Sequence, residues 1–203
     1  MAGKNRVLVT RKLRGLMEEC EDDQLQSLLS SFSCEQDRDI QNFLHNRAML
    51  FERLDKSRTY LIADNEQISA PGFKARNMTI YGYIKLSIKN FRAPETMSNR
   101  QRLLLDGFSA KEHGEPVEYF PCYLIGQLAR NSNVPKDSVT GADLLLFAFD
   151  LIGKAFDAVG GRNILVECRN VNHLVQFYLD NDFLEISHIP DGDIEMVQLL
   201  RRI

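Results

Sequence analysis

At 203 residues the chain sits near the upper end of the range for one domain, roughly 100–200 residues. Its 44% hydrophobic and 26% charged residues are those of a soluble globular protein with material for a sizeable core, which excludes a disordered or fibrous chain. The formal net charge of −3 lends nucleic-acid binding no support, and the four scattered cysteines form neither a disulfide framework nor a zinc site.

The opening stretch "MAGKNRVLVTRKLRG" has no apolar core segment and no small-residue cleavage site, so it does not read as a secretory signal. It is basic at Lys4, Arg6, Arg11, Lys12 and Arg14, and the acidic "EECEDD" follows at once. Residues 1–24 therefore read as a solvated terminal arm or helix, with a nucleic-acid arm as the alternative, ahead of one domain over 25–203. Leu25 to Phe32 is a short strand or the end of a terminal helix. From Cys34 the apolar positions Ile40, Phe43, Leu44, Ala48, Met49 and Phe51 recur at helical spacing and predict one amphipathic helix.

"RTYLIAD" predicts a strand, and "QISAPGFKARN", with its Pro71-Gly72, a loop. "MTIYGYIKLSIKN" alternates and predicts a strand with one half-exposed face. An insertion over 91–117 follows, with a short helix from Ser98 to Gly107 and a mobile link in "SAKEHGEPVE". "EYFPCYLIGQLAR" is a long strand whose Pro121 implies an edge, a strand start or a bulge. "GADLLLFAFDLIGKAFDAV" is a helix apolar on nearly every face, stopped by Gly160-Gly161. The remaining segments predict a strand ("RNILVEC"), a helix ("VNHLVQFYLDN") and two strands ("DFLEISHI" and "DIEMVQLLRRI"). This mixed order predicts an α/β or α+β domain with helices on the faces of one sheet. Cys122 and Cys168 fall in the apolar strands and read as free buried thiols, which fits a reducing cytoplasm. No apolar run reaches the length of about eighteen residues that marks a membrane-spanning helix.

The polar loop "NSNVPKDSVT" delivers the N-terminus of the apolar helix. A helix start leaves backbone N–H groups unpaired and carries the positive end of the helix dipole, so such a loop suits an anion, commonly a phosphate. Lys136, Ser138 and Thr140 add side-chain donors, and Gly141 permits close approach. Neither a Walker A motif nor G-x-G-x-x-G is present.

Taken in succession, "IGQLAR", this loop, "GADLLLFAFDLI" and "GRNILVECRNVNHLVQFYLDNDF" resemble the core of the GNAT acetyltransferase superfamily. More narrowly they resemble its bacterial branch that includes tRNA-acetylating toxins of toxin–antitoxin pairs. The resemblance covers about residues 32–202 and implies a mixed, mostly antiparallel sheet with a V-shaped splay between two parallel strands. It implies an acetyl-CoA site in which backbone groups of Leu128, Ala129 and Arg130 pair with the pantetheine arm. The loop through Lys136, Asp137, Ser138, Val139, Thr140, Gly141 and Ala142 would wrap the pyrophosphate. Family members read Gln/Arg-x-x-Gly-x-Gly/Ala there; with Gly141 last, Lys136 stands first and Val139 replaces the central glycine. A β-branched residue disfavours positive φ, so this loop is expected to take a different path.

From the residues alone Tyr178 in "FYLDNDF" reads as a core tyrosine on an amphipathic helix; the resemblance matches it to the tyrosine that serves as general acid in many family members. Glu118 is the candidate general base, with Glu167 and His173 as lesser ones that also suit paired or surface roles. No metal is expected. The resemblance implies a cytoplasmic acetyl-CoA-dependent N-acetyltransferase acting on an amine, often as a homodimer. A tRNA-acetylating toxin and a non-catalytic CoA- or partner-binding protein are the alternatives, tRNA being a partner the −3 charge does not favour.

Overall fold

The computed structural model describes residues 6–203. Seven strands form one sheet in the order β1-β2-β3-β6-β7-β9-β8, and a separate two-stranded hairpin, β4-β5, stands beside it. In chain order the elements are β1 (Leu8–Lys12), α1 (Leu13–Glu19), α2 (Asp22–Ser30), α3 (Arg38–Asn46), α4 (Ala48–Arg53), β2 (Arg58–Asp64) and α5 (Asn65–Ile68). A single 3-10 turn (Ala75–Asn77) leads to β3 (Gly82–Arg92), α6 (Asn99–Asp106), β4 (Lys111–Glu112), β5 (Glu115–Pro116) and β6 (Tyr119–Arg130). Then come α7 (Gly141–Val159), β7 (Asn163–Arg169), α8 (Asn172–Leu179), β8 (Leu184–Asp191) and β9 (Ile194–Arg202). The β1–β2, β2–β3, β4–β5, β7–β9 and β8–β9 ladders are antiparallel, and β6 with β7 is parallel. The chain divides into two compact units, one running to Leu86 and including Gln127–Leu151, the other Ser87–Gly126 with Ile152–Ile203.

In the first unit, β1 pairs along β2 from Leu8↔Asp64 to Lys12↔Tyr60. Alternation then assigns the two faces. Leu61, Ala63 and Tyr83 pack under the early helices with Leu16, Leu29 and Phe32. Gly82 meets Leu144 of α7 on the other side, so helices cover both faces here. That overturns the half-exposed face expected for the whole of the third strand: Tyr83 and Ile84 are both sealed, and only further along does Ile88 reach solvent, at 74%.

The residues expected to form a solvated arm or helix supply a paired strand and a helix, and that helix is packed rather than solvated, with Leu13 and Leu16 fully buried. Of the five basic residues expected there, Lys4 lies outside the described residues; Arg6, Arg11 and Arg14 are ion-paired with Asp64, Glu19 and Asp55. Of Leu25 to Phe32, the stretch to Ser30 belongs to α2, with Leu25, Leu28 and Leu29 inside. The single helix expected from Cys34 is two, broken at Arg47 (φ −125°), and the break turns the Glu52 carboxylate inward onto the Thr59 N–H at 2.5 Å.

In the second unit, α6 starts at a capping box between Ser98 and Gln101 and stops at Gly107 in the left-handed region, as its sequence predicts. It packs Leu105 on Phe91, Phe120, Leu165 and Leu200. The link expected to be mobile forms the small β4-β5 hairpin. Pro121 sits near the start of β6, a strand interior to the sheet, one residue before the parallel ladder begins at Cys122↔Asn163; its missing N–H is thus kept clear of that ladder. Helix α7 is not sealed all round: Leu146 and Val159 are 65% and 76% exposed.

Candidate functional site

The candidate residues fall in the two units, and each group is built locally. In the second unit the parallel ladder ends at Ile125↔Val166, while β6 itself runs on to Arg130. In the first unit, that last stretch of β6 is locked to β3 and the segment around Ser33. Asn131, 3% exposed, donates its N–H to Tyr81 O at 2.8 Å and its Nδ2 to Ile80 O at 2.7 Å, while Oδ1 accepts from the Ser33 and Asn133 N–H groups. Ser132 N–H donates to Ser33 O at 2.7 Å. Gln127 accepts a hydrogen bond from the Tyr83 hydroxyl at 2.7 Å. Leu128, Ala129 and Arg130 are therefore held on a rigid frame. Arg130 Nη1 is buried without a hydrogen-bond partner, an arrangement that costs free energy unless an anion meets it.

The loop from Lys136 to Ala142 places the β-branched Val139 in ordinary backbone conformation. Val139 has no positive φ and is buried to 1%, anchoring the loop in the core rather than opening it as a glycine does. Lys136, Asp137, Thr140, Gly141 and Ala142 are exposed, with Ser138 half-buried and its N–H donated to Pro135 O. Thr140 differs from expectation. Its hydroxyl donates to Asp143 Oδ2 at 2.7 Å and accepts from the Asp143 N–H, so it caps the helix instead of pointing at a ligand. The Leu144 N–H already bonds to Thr140 O. The amides of Gly141 and Ala142 remain as the donors of the first turn. The T-x-x-D spacing at 140–143 is a capping signature legible in the sequence.

In the second unit, Tyr178 on α8 is 8% exposed, with its ring edge-on to Phe177 (5.0 Å) and Phe183 (5.4 Å). Its hydroxyl has no hydrogen-bond partner among the described residues. Burial, and then the nearby Cys168, push its pKa well above the usual phenol range, so the proton stays on. Glu167 is no free base: both its oxygens accept from Lys89 Nζ, and Gln198 Nε2 adds a third bond at 2.7 Å. Glu118 lies exposed just before β6, its carbonyl accepting the Ala93 N–H at 2.7 Å. His173 is exposed at the start of α8. Among the described residues no His, Cys, Asp or Glu group of three converges as a metal site requires, and no helix is long and apolar enough to cross a membrane.

No protein-family model and no curated protein matches the chain. Solved structures do. The chain is similar to a tyrosine-to-phenylalanine variant of the toxin AtaT bound to the C-terminus of the antitoxin AtaR, at TM-score 0.61 and 18% identity over 96% of this chain and 92% of that one. A tyrosine-to-phenylalanine variant of KacT superposes at TM-score 0.64 and 17% identity, over 94% and 93%. AtaT complexed with acetyl-methionyl-tRNAfMet gives 0.60 and 19%, over 94% of each. The chain has the fold of these toxins. It is the fold that the ordered motifs from "IGQLAR" to "FYLDNDF" implied, and at such identities the likeness is one of fold alone.

Proposed function

We propose that the chain is an acetyl-CoA-dependent N-acetyltransferase whose acceptor is the α-amine of an aminoacyl-tRNA. The observation that carries the first half is the end of β6: a strand running past its parallel ladder into Arg130, with an unpartnered guanidinium nitrogen, and then into the loop before α7. Such a strand offers backbone groups for the pantetheine amides, and a cation with first-turn amides for the diphosphate. The donor set fits a diphosphate, with Lys136 as a further cation and the Asp143 carboxylate as an opposing charge. Two neighbours of the same fold were solved with acetyl-CoA, AtaT with the AtaR C-terminus and AtaTR. The acceptor reading draws on a third, AtaT complexed with acetyl-methionyl-tRNAfMet.

In this chemistry a neutral amine attacks the thioester carbonyl, a C–N bond forms, the C–S bond breaks, and the amine's surplus proton ends on the departing thiolate or in water. A backbone N–H of the Leu128–Arg130 stretch would stabilise the oxyanion. Tyr178 would stabilise the thiolate. Its proton is held more tightly than a thiol's, whose pKa is about 8.5, so the hydroxyl acts first as a hydrogen-bond donor rather than by outright transfer. With Glu167 tied to Lys89, Glu118 is the remaining carboxylate candidate for a base, and deprotonation by water is its competitor.

Calorimetry with acetyl-CoA, paired with a thiol-release assay on charged tRNA and on a panel of small amines, tests the proposal. Binding with release on charged tRNA is expected. Binding without release on any amine points to a non-catalytic CoA-binding protein and overturns the enzyme; release on small amines alone overturns the acceptor.

A further inference from the structure

Phe51 on α4 carries three cations and no anion. Arg47 Cζ stands 5.0 Å from its ring centroid, Lys85 Nζ 5.2 Å and Lys56 Nζ 5.7 Å. Lys85 also lies 4.5 Å from the ring of Phe43, which meets Phe51 edge-on at 5.3 Å. All five residues belong to the first unit. The chain places them deliberately: the helix break at Arg47 turns that side chain over Phe51, and β3 supplies Lys85 from beneath.

Several arginines of this unit are ion-paired elsewhere. Arg11 pairs with Glu19, Arg53 with Asp22, and Arg14 and Arg58 share Asp55. Arg47, Lys56 and Lys85 have no ion-pair partner among the described residues. Burial lowers the Lys85 pKa, and the one charge acting on it, Arg47, lowers it further; no carboxylate works the other way. Three like charges gathered on one ring gain about 0.5–1 kcal/mol each from the π face at exposed sites, and they repel one another. An arriving polyanion relieves that repulsion.

We infer that Arg47, Lys56 and Lys85, held over Phe43 and Phe51, form the contact surface for the phosphate backbone of the RNA acceptor. The inference rests on the aminoacyl-tRNA reading proposed above. Arg47 and Lys56 are exposed and Lys85 half-buried, so the surface is open and suits a strand passing over it. Phe51 is already covered by the cations and serves to fix them rather than to stack on a base. The arginine fork favours phosphate geometry. The surface also answers the charge objection: the chain is −3 overall, but these three cations stand together with no ion-pair partner among the described residues.

The test is a fluorescence-anisotropy titration of labelled tRNA against the full chain at several salt concentrations. The variants are Arg47→Ala, Lys56→Ala and Lys85→Met, with Lys111→Ala on the β4-β5 hairpin of the second unit as control. Each of the three should reduce the slope of log K against log salt by about 1, with the control unchanged. Acetyl-CoA affinity measured on the same variants should stay at the wild-type value, which excludes unfolding as the cause. Unchanged slopes in all three variants overturn the surface while leaving an RNA acceptor standing. A wild-type chain that ignores tRNA yet acetylates a small amine overturns surface and RNA acceptor together, though not the acetyltransferase. Polyglutamate competing as well as tRNA at equal charge overturns RNA in favour of an acidic protein.

Discussion

Thr140 and Asp143 cap α7 reciprocally: the Thr140 hydroxyl and N–H both donate to Asp143 Oδ2, and Thr140 Oγ1 accepts the Asp143 N–H at 3.1 Å. The carboxylate that stabilises the helix start also opposes an incoming diphosphate. Asp143→Asn should therefore act with opposite signs on two readouts. Folding stability should fall by about 0.3–1 kcal/mol as the charge–dipole attraction is lost, while acetyl-CoA affinity should rise by about 2–5-fold. Urea unfolding and calorimetry on the one variant read both. A parallel loss in both removes the loop from the diphosphate site.

Gly82 on β3 lies tight against both β6 and α7. A Cβ there would lie 2.8 Å from Ala129 O and 2.9 Å from Leu144 Cδ2, and the carbonyl cannot move aside cheaply. Gly82→Ala should destabilise the chain by about 1–3 kcal/mol, the usual cost of overpacking a core, and should weaken acetyl-CoA binding by displacing the strand at Ala129. Chemical denaturation and titration check the two effects.

Tyr178→Phe keeps the ring against Phe177 and Phe183 and removes only the hydroxyl. Turnover should fall by about 10²–10⁴-fold with acetyl-CoA affinity nearly unchanged. Undiminished turnover would remove Tyr178 from the chemistry and leave it a core tyrosine.

Alkaline stability should report the buried phenols. Burial raises the pKa of both Tyr83 and Tyr178 above the ordinary value of about 10. Below that pH both folded and unfolded chains keep the protons and the contribution is complete. Above it the unfolded chain loses its protons first, the native state binds more, and stability falls as pH rises. Unfolding followed between pH of about 9 and 11 should show this decline, and each Tyr→Phe variant should flatten it.

The thiols divide by burial. Cys122 is pushed up to about 12 and Cys168 to about 11, both chiefly by desolvation, so neither forms much thiolate near neutrality. A disulfide reagent at pH about 8 should modify the partly exposed Cys20 well ahead of them, and denaturant should release the rest.

Much of the fold was legible where periodicity is long or turn chemistry is unambiguous. The α6 boundaries came from Ser98 and Gly107, and the strand–loop–helix order around "IGQLAR" carried the topology. The N-terminal segment misled because its charges read as solvated, whereas ion pairs to Asp64, Glu19 and Asp55 neutralise them around buried Leu13 and Leu16. Such pairings are long-range and leave no local pattern. The same holds for Glu52, whose "FERLD" context suggests a wet face although tertiary contacts turn it inward. At the candidate site the loop was readable as a departure at Val139. Neither the orphaned Arg130 nitrogen nor the Lys89–Glu167 pair was, since each depends on which side chains other strands bring near.

Acetyl-CoA binding to the intact chain is the most direct measurement, made by calorimetry alongside Arg130→Ala and Lys136→Ala. Saturable binding of one acetyl-CoA per chain, weakened in both variants and most by Arg130→Ala, is the expected result. A wild-type chain that takes up no acetyl-CoA at millimolar concentration would contradict the cofactor site and every role assigned around it.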